Sequence, residues 1–330
     1  MHSKIILKVF GILLMVYSIS LLPPILVALL YQDGGLFAFS SVLVGVLLTG
    51  LFIWYPVRNY SQDLKIRDGF LIVVMFWTVL GLAGALPFYI EREVPLSLTD
   101  SIFESFSGLT TTGATVIIGL DELPHSILWY RQQLQWMGGM GIIVLAVAIL
   151  PMLGIGGMQL YRAETPGPIK DSKIAPRISE TAKALWYIYL GLTIACAISY
   201  WMAGMNWFDA FGHSFSTVAI GGFSTHDASI GYFDNINVEI IAIIFMFLAG
   251  INFALHFTAF RSLSGYAYFR DPEFKAYAGL LVFASIIATS YLYLQEVYPT
   301  WQEAVRYGVF QTVSLCLLYT SDAADDIRCV

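Results

Sequence analysis

Two short stretches of this 330-residue chain combine glycine with small or hydroxyl-bearing residues in matching surroundings. The first reads Thr110-Thr111-Thr112-Gly113, and the second, offset by 109 residues, reads Ala219-Ile220-Gly221-Gly222. Backbone carbonyl oxygens in such loops replace the hydration shell of a cation, and glycine reaches the required backbone angles without the steric cost of a Cβ atom. Neither stretch contains a carboxylate. The chemistry therefore favours neutral coordination of a monovalent cation over a divalent metal site.

A short helix is predicted immediately before each loop. Residues Ser97 to Leu109 would form a helix only about 20 Å long, which is too short to cross a bilayer core of about 30 Å. The equivalent segment, Asp209 to Val218, recurs at the same offset, so one structural unit is used at least twice. We interpret Asp100 (or Thr99) and Asp209 as N-caps of these half-helices rather than as ion ligands.

The composition is that of a membrane protein. Hydrophobic residues make up 58% of the chain and charged residues only 12%, whereas soluble domains carry about 25% charged residues. Several apolar runs approach the roughly 20 residues needed to cross a bilayer. The lipid bilayer is therefore an expected partner, and nucleic acid is not.

Two leading helices are predicted over residues 9–30, bent at Pro23-Pro24, and over residues 36–55. The remaining helices, in chain order, are predicted over residues 70–90 and 128–150 in the first repeat, 182–203 (after a Ser179 cap) and 238–260 in the second, and 277–294 with the half-helix 301–314 in a partial third. The predicted fold is thus an all-α polytopic membrane protein of repeated helix–pore half-helix–filter loop–helix units, similar to potassium channels.

This order divides the chain into six predicted segments: 1–67 (two leading transmembrane helices), 68–160 (first pore repeat), 161–180 (cytoplasmic basic loop), 181–262 (second pore repeat), 263–314 (partial third repeat) and 315–330. The last segment contains Asp322-Ala323-Ala324-Asp325-Asp326 where a third Thr/Gly-rich loop is expected. We expect residues 315–330 to be a non-native tail.

Basic residues are distributed unequally when the helices alternate across the membrane. Thirteen fall on one side and three, Arg92, Arg131 and Arg306, on the other. By the positive-inside rule the first side, with the N-terminus, is cytoplasmic. Both loops then open to the outside, where acidic residues would concentrate cations: Glu91, Glu93, Asp121, Glu122, Asp227 and Asp234.

Other functions are weighed against the pore. An intramembrane hydrolase would need a nucleophile and a base, and His213 with Ser214 or Ser216 is the available pair. No matching pair occurs in the first repeat, and repetition favours a pore over a catalytic site. His213 and His226 lack a nearby third ligand for a metal, and Glu239 and His256 are interpreted as boundary or packing residues. A purely structural scaffold would leave the glycine-bearing loops unexplained.

Several motifs together resemble the TrkH-like membrane subunits of bacterial Trk potassium-uptake systems, within the Trk/Ktr/HKT superfamily. The matching stretches are Ser105 to Ala114, Gln135 to Gly141, Ala163 to Pro168, Pro176 to Lys183 and Ser214 to Ser224. The resemblance covers residues 1–314.

The resemblance implies potassium uptake across the bacterial inner membrane, without enzymatic activity or an organic cofactor. Backbone oxygens would hold K⁺ at Thr110, Thr111, Thr112, Gly113, Ala219, Ile220, Gly221 and Gly222. It also implies a homodimer gated by a cytosolic nucleotide-binding regulatory subunit (TrkA-like), which would dock on the basic loop from Arg162 to Lys183. A sodium-coupled or sodium-transporting member of the superfamily is the alternative. Family members have four repeats around one pore, so the 330-residue chain alone is expected not to conduct.

Overall fold

The computed structural model describes residues 3–60, 66–139, 178–262 and 264–317, and every regular element in these ranges is helical. The chain divides into two compact units, one comprising Met1–Thr110 with Thr115–Trp186 and the other Thr111–Ala114 with Tyr187–Val330. The described residues contain five helical segments long and apolar enough to cross a membrane, and a sixth if one bent helix pair is a single span. The predicted class, an all-α polytopic membrane protein, is confirmed.

The first predicted span is two helices, α1 (Ser3–Ile19) and α2 (Leu22–Tyr31). Both prolines lie in the first turn of α2, where a missing N–H costs no intrahelical hydrogen bond, and the helix is interrupted at Ser20-Leu21 just before them. The next helix, α3 (Leu36–Trp54), continues into a 3₁₀ turn at Tyr55–Val57. It approaches α1 closely: a Cβ added to Gly11 would lie 2.8 Å from the carbonyl oxygen of Gly50.

The first repeat contains α4 (Ile66–Ile90), the half-helix α5 (Leu98–Leu109), a 3₁₀ turn at Leu120–Glu122 and α6 (His125–Gly139). The half-helix packs against both α4 and α6. The helix predicted over residues 128–150 corresponds to α6, which begins three residues earlier, at His125. The second half of the predicted helix lies outside the described residues. The same is true of most of the predicted cytoplasmic basic loop.

The second repeat contains α7 (Ile178–Met202), the half-helix α8 (Trp207–Ala219), a 3₁₀ helix at Ser229–Phe233, then α9 (Ile236–Ala249) and α10 (Phe253–Ser262). Ser179 lies inside α7, so the prediction that it caps this helix is wrong.

The predicted continuous helix 238–260 is also wrong. It is broken between α9 and α10, which are bent by 92° relative to each other. At the end of α9, the backbone N–H of Gly250 donates to the carbonyl of Met246. Two residues later, the Asn252 side chain accepts a 3.0 Å hydrogen bond from the N–H of Ala254. A side-chain cap of this kind starts a new helix, so Asn252 redirects the chain where hydropathy alone indicates one span.

The partial third repeat contains α11 (Tyr266–Arg270), α12 (Pro272–Leu294) and the half-helix α13 (Trp301–Cys316). The half-helix packs against α12 and α9. The predicted half-helix 301–314 is confirmed, and most of the predicted non-native tail lies outside the described residues.

The predicted N-caps of the half-helices, Asp100 (or Thr99) and Asp209, are wrong. The true caps lie two or three residues earlier in the chain. The caps are Ser97, Asn206 and, in the third repeat, Thr300. Each side chain accepts a hydrogen bond from the N–H of the acidic residue three positions later: 3.1 Å to Asp100, 2.8 Å to Asp209 and 3.3 Å to Glu303. The aspartates instead occupy the first turn, where negative charge is favourable.

Candidate ion-coordinating loops

The two glycine-bearing loops share an unusual backbone pattern. Thr111 and Gly113 have φ of +55° and +77°, and the equivalent Ile220 and Gly222 have φ of +54° and +88°. Left-handed backbone is uncommon for residues with a Cβ, and for β-branched residues it is an outlier. The same two positions, 109 residues apart, are therefore left-handed in two stretches of different sequence.

The beginning of each loop is tied to its own half-helix. In the first repeat, both the N–H and the hydroxyl of Thr110 donate to the carbonyl of Phe106, at 2.8 and 2.7 Å. In the second, the N–H of Gly221 donates to the carbonyl of Ser216 at 2.8 Å, and the Ser216 hydroxyl donates to the carbonyl of Phe223 at 2.6 Å. The bonds of Thr110 and Gly221 hold the first part of each loop, and the bond from Ser216 to Phe223 holds the C-terminal end of the second loop.

A buried ion pair lies behind the first loop. Glu104, in the middle of α5, and Arg131, in α6, are both fully buried, with 2.7 Å between Oε1 and Nε. The Thr115 hydroxyl lies 3.0 Å from both carboxylate oxygens of Glu104 and accepts a 3.0 Å hydrogen bond from Arg131 Nη2. The N–H of Val116 donates to Glu104 Oε2 at 3.2 Å. The half-helix is thus joined to the chain that leaves the loop.

The second loop has a histidine in the corresponding place. Nε2 of the buried His213, in α8, lies 3.0 Å from the Ser224 hydroxyl, and its Nδ1 lies 2.9 Å from the Asp209 carbonyl. The Asp209 carboxylate pairs with His226 Nε2 at 3.1 Å and accepts a 2.7 Å hydrogen bond from Thr225. Burial opposes the charged carboxylate, but the hydrogen bonds from His226 and Thr225 outweigh it and lower the pKa of Asp209.

The structure does not support the hydrolase arrangement. His213 contacts Ser224, whereas Ser214 donates to the Phe211 carbonyl and Ser216 to the Phe223 carbonyl. His213 and Ser224 are both fully buried, so their pairing is internal to the protein and offers no surface to a substrate. Within the described ranges, no three His, Cys, Asp or Glu side chains are grouped as a metal site would require.

A second ion pair was missed by the sequence reasoning. Arg306, in α13, donates to both carboxylate oxygens of Glu239 at the start of α9, at 2.8 and 2.6 Å, and to Asp234 at 3.2 Å. Hydrogen bonding to Glu239 raises the pKa of Arg306 further above its ordinary value. The available signal was that Arg306 is one of only three basic residues predicted on the outer side.

The predicted acidic mouth is only partly displayed to solvent. Glu91 is buried, and its Oε1 accepts from the N–H groups of Arg92 and Glu93 at 2.8 and 3.3 Å. The Glu91 side chain thus binds the backbone of the turn that follows α4. Asp121, Glu122 and Asp227 are exposed, and Asp234 is exposed although it contacts Arg306.

The structure places three of the four first-loop site residues, Thr111, Thr112 and Gly113, in the same compact unit as the second loop, residues 219–222. Thr110 belongs to the other unit. The half-helices α5 and α8 are each capped at the N-terminus and followed by a loop of alternating backbone handedness. Together with the apolar helices of membrane-spanning length, they define a pore-loop cation transport protein.

Comparison with known proteins agrees with this class. The family model "TrkH: Cation transport protein" matches residues 37–311. The Trk system potassium uptake protein TrkH of Vibrio parahaemolyticus is 56% identical over 317 residues, which are 96% of this chain and 65% of that protein. TrkH of Escherichia coli K12 is 53% identical over 325 residues, covering 98% of this chain and 67% of that protein. The chain therefore belongs to the TrkH family.

The fold is similar as well. The crystal structure of the potassium transporter TrkH from Vibrio parahaemolyticus matches with a TM-score of 0.84 at 52% sequence identity, covering 95% of this chain and 64% of that one. The chain spans about two thirds of the length of these relatives.

Proposed function

We propose that this chain forms part of the pore of a Trk-type system that takes up K⁺ across the bacterial inner membrane. The observation that carries the proposal is the repeated loop backbone, with left-handed residues at Thr111 and Gly113 and again at Ile220 and Gly222. An alternation of backbone handedness turns successive carbonyl groups towards the same side of a strand, which is the arrangement that a row of dehydrated cations requires.

Within each loop, four backbone positions supply the ligands. The first loop contributes carbonyl oxygens of Thr110, Thr111, Thr112 and Gly113, and the second those of Ala219, Ile220, Gly221 and Gly222. α5 ends at Leu109, directly before the first loop, and α8 ends at Ala219, the first position of the second, so the partial negative charge of each helix end falls beside the ion. K⁺ is the transported substrate, and no organic cofactor is required for its passage.

The membrane orientation follows from the charge distribution. An excess of basic residues on one predicted side places that side, and the N-terminus, in the cytoplasm. The loops then open to the exterior, and the exposed Asp121, Glu122 and Asp227 attract cations to their openings. In this orientation, external cations reach the loops first, as uptake into the cell requires.

The partners belong to the same proposal. The complete transporter is a homodimer, and a cytosolic nucleotide-binding subunit of the TrkA type regulates it by docking on the basic loop from Arg162 to Lys183. The support is the basic composition of that loop on the predicted cytoplasmic side, since complementary charge steers such associations.

Growth rescue tests the proposal. This chain, extended after Ser314 by the C-terminal third of the Vibrio parahaemolyticus relative, is expressed with a regulatory subunit in bacteria lacking potassium uptake. The 330-residue chain serves as the comparison. We expect the extended chain to restore growth on limiting potassium. Absence of rescue despite membrane insertion would contradict the potassium assignment, and Na⁺ uptake by the same cells would favour the sodium-transporting alternative.

A further inference from the structure

The contacts behind the two loops are equivalent position by position, although the residues differ. Glu104 and His213 occupy the same place in their half-helices at the 109-residue offset, as do Thr115 and Ser224, each two residues after the loop's last glycine. In both repeats the half-helix side chain lies 3.0 Å from that hydroxyl.

The hydroxyl makes a second equivalent bond in each repeat. Thr115 Oγ1 accepts from the N–H of Ile117 at 3.1 Å, and Ser224 Oγ accepts from the N–H of His226, also at 3.1 Å. One hydroxyl therefore fixes the local backbone and the distance to the half-helix together. Two different chemistries, a carboxylate in one repeat and an imidazole in the other, preserve the same connection.

From these contacts we infer that two pairs of side chains, Glu104 with Thr115 and His213 with Ser224, are positioning residues. Each pair holds the C-terminal end of its loop and thereby sets which cation the carbonyl oxygens accept. This inference rests on the proposed function. The entry end of the first loop is held at Thr110 by Phe106, so with Thr115 held as well, only four residues lie between the two fixed points.

Arg131 gives the first connection a charge that the second does not have. It occupies the position of Ile240 at the same offset, and its guanidinium contacts both Glu104 and Thr115. A buried carboxylate without this partner would be uncompensated. Arg131 therefore compensates the buried Glu104 carboxylate, which accepts hydrogen bonds from the Val116 N–H and the Thr115 hydroxyl.

The first test uses the 330-residue chain itself in lipid nanodiscs and measures hydrogen–deuterium exchange at residues 112–117. Thr115→Val preserves side-chain shape but removes the hydroxyl, and Thr115→Ser keeps the hydroxyl. We expect exchange in this segment to rise about tenfold in Thr115→Val, because a part-buried hydrogen-bonding hydroxyl is lost, and to stay unchanged in Thr115→Ser. Equal exchange in all three proteins would overturn the inference.

Thr78→Val is the matched control for this comparison. The Thr78 hydroxyl is exposed and bonds only within its own helix, to the Val74 and Met75 carbonyls at 2.8 and 3.3 Å. We expect this variant to leave exchange at residues 112–117 unaltered, which separates loss of the specific contact from a general effect of replacing threonine by valine.

The second test separates positioning from simple stability. In the extended chain described above, reconstituted in liposomes, the ratio of K⁺ to Na⁺ uptake is measured for wild type, Thr115→Val, Thr115→Ser and Glu104→Gln. We expect the ratio to fall at least about threefold in Thr115→Val and Glu104→Gln, because discrimination depends on how the carbonyl oxygens are held, and to recover in Thr115→Ser.

The two tests fail in distinguishable ways. Faster exchange with an unchanged uptake ratio would reduce the contact to a structural role and overturn the assignment of selectivity to it. A wild-type extended chain that inserts but transports no K⁺ would count against the proposed function, while the exchange comparison would still decide whether Thr115 holds the loop.

Discussion

The two loops differ in sequence, yet each contains a residue with strained backbone at the equivalent position. Thr111 and Ile220 are β-branched, yet both adopt left-handed backbone, which costs about 1–2 kcal/mol per residue with a Cβ. Such strain persists only where surrounding contacts impose it, and it concentrates at functional sites. The hydrogen bonds of Thr110, Ser216, Thr115 and Ser224 supply those contacts.

The glycines are where strain is avoided, and Gly113 provides a direct test. With φ of +77°, it accepts a Cβ only at a steric cost. Replacing Gly113 with Ser in the extended chain should distort the carbonyl row and lower the ratio of K⁺ to Na⁺ uptake into liposomes. Gly45→Ser is the control, because a Cβ there meets nothing within 4 Å. An unchanged ratio in Gly113→Ser would contradict the role of this residue.

At the scale of helices, the three half-helices share a beginning but differ in how they are held. Each starts with a polar cap and an acidic residue three positions later. Beyond this, α5 is joined to α6 by Glu104 and Arg131, whereas α13 is joined to α9 by Arg306 and Glu239. The cap is part of the repeated unit, and the lateral ion pairs are particular to each repeat.

The shared cap predicts a specific substitution pattern in α8. Removing the Asn206 side chain as Asn206→Ala leaves an unsatisfied N–H at Asp209 and should lower the free energy of unfolding by about 1 kcal/mol. Asn206→Ser, which introduces the residue that caps α5, should retain most of it. Denaturant titration of the purified protein in detergent micelles measures both. An unchanged free energy of unfolding in Asn206→Ala would show that the side-chain cap does not stabilise this helix, and a loss in Asn206→Ser as large as that in Asn206→Ala would show that serine does not replace asparagine there.

At the scale of the whole molecule, the basic residues are distributed unequally between the two predicted sides of the membrane. The predicted cytoplasmic side carries thirteen basic residues and the opposite side three. Two of those three, Arg131 and Arg306, are held in ion pairs with glutamates. Arg131 and Arg306 thus have a structural role in addition to their place in the charge count.

This asymmetry predicts where a regulatory subunit binds. Neutralising Lys170, Lys173 and Arg177 together as glutamines should weaken binding of a TrkA-type subunit at physiological salt, because complementary charge steers the association. Surface plasmon resonance with the nanodisc-embedded protein measures the affinity. Arg92→Gln, on the predicted outer side, is the control. Unaltered affinity of the triple variant would remove this loop as the docking surface.

Sequence reasoning succeeded where a signal is local or repeated. The apolar runs identify the spans, because a bilayer leaves few other solutions for them. The offset of 109 residues identifies Gly113 and Gly222 as equivalent without any structure. The first half-helix is predicted from its length, which is too short to cross a membrane, and the second from its place in the repeat.

Only the tertiary structure decided the rest, because the remaining features depend on residues far apart in sequence. Glu104 and Arg131 are separated by 27 residues and Glu239 and Arg306 by 67, and no periodicity relates such partners. The break between α9 and α10 depends on one asparagine side chain within an otherwise apolar span. The sequence determined which elements form and that one unit is repeated. Packing determined which buried charges form pairs, because an unpaired charge inside the protein is strongly destabilising and its partner can come from any part of the chain.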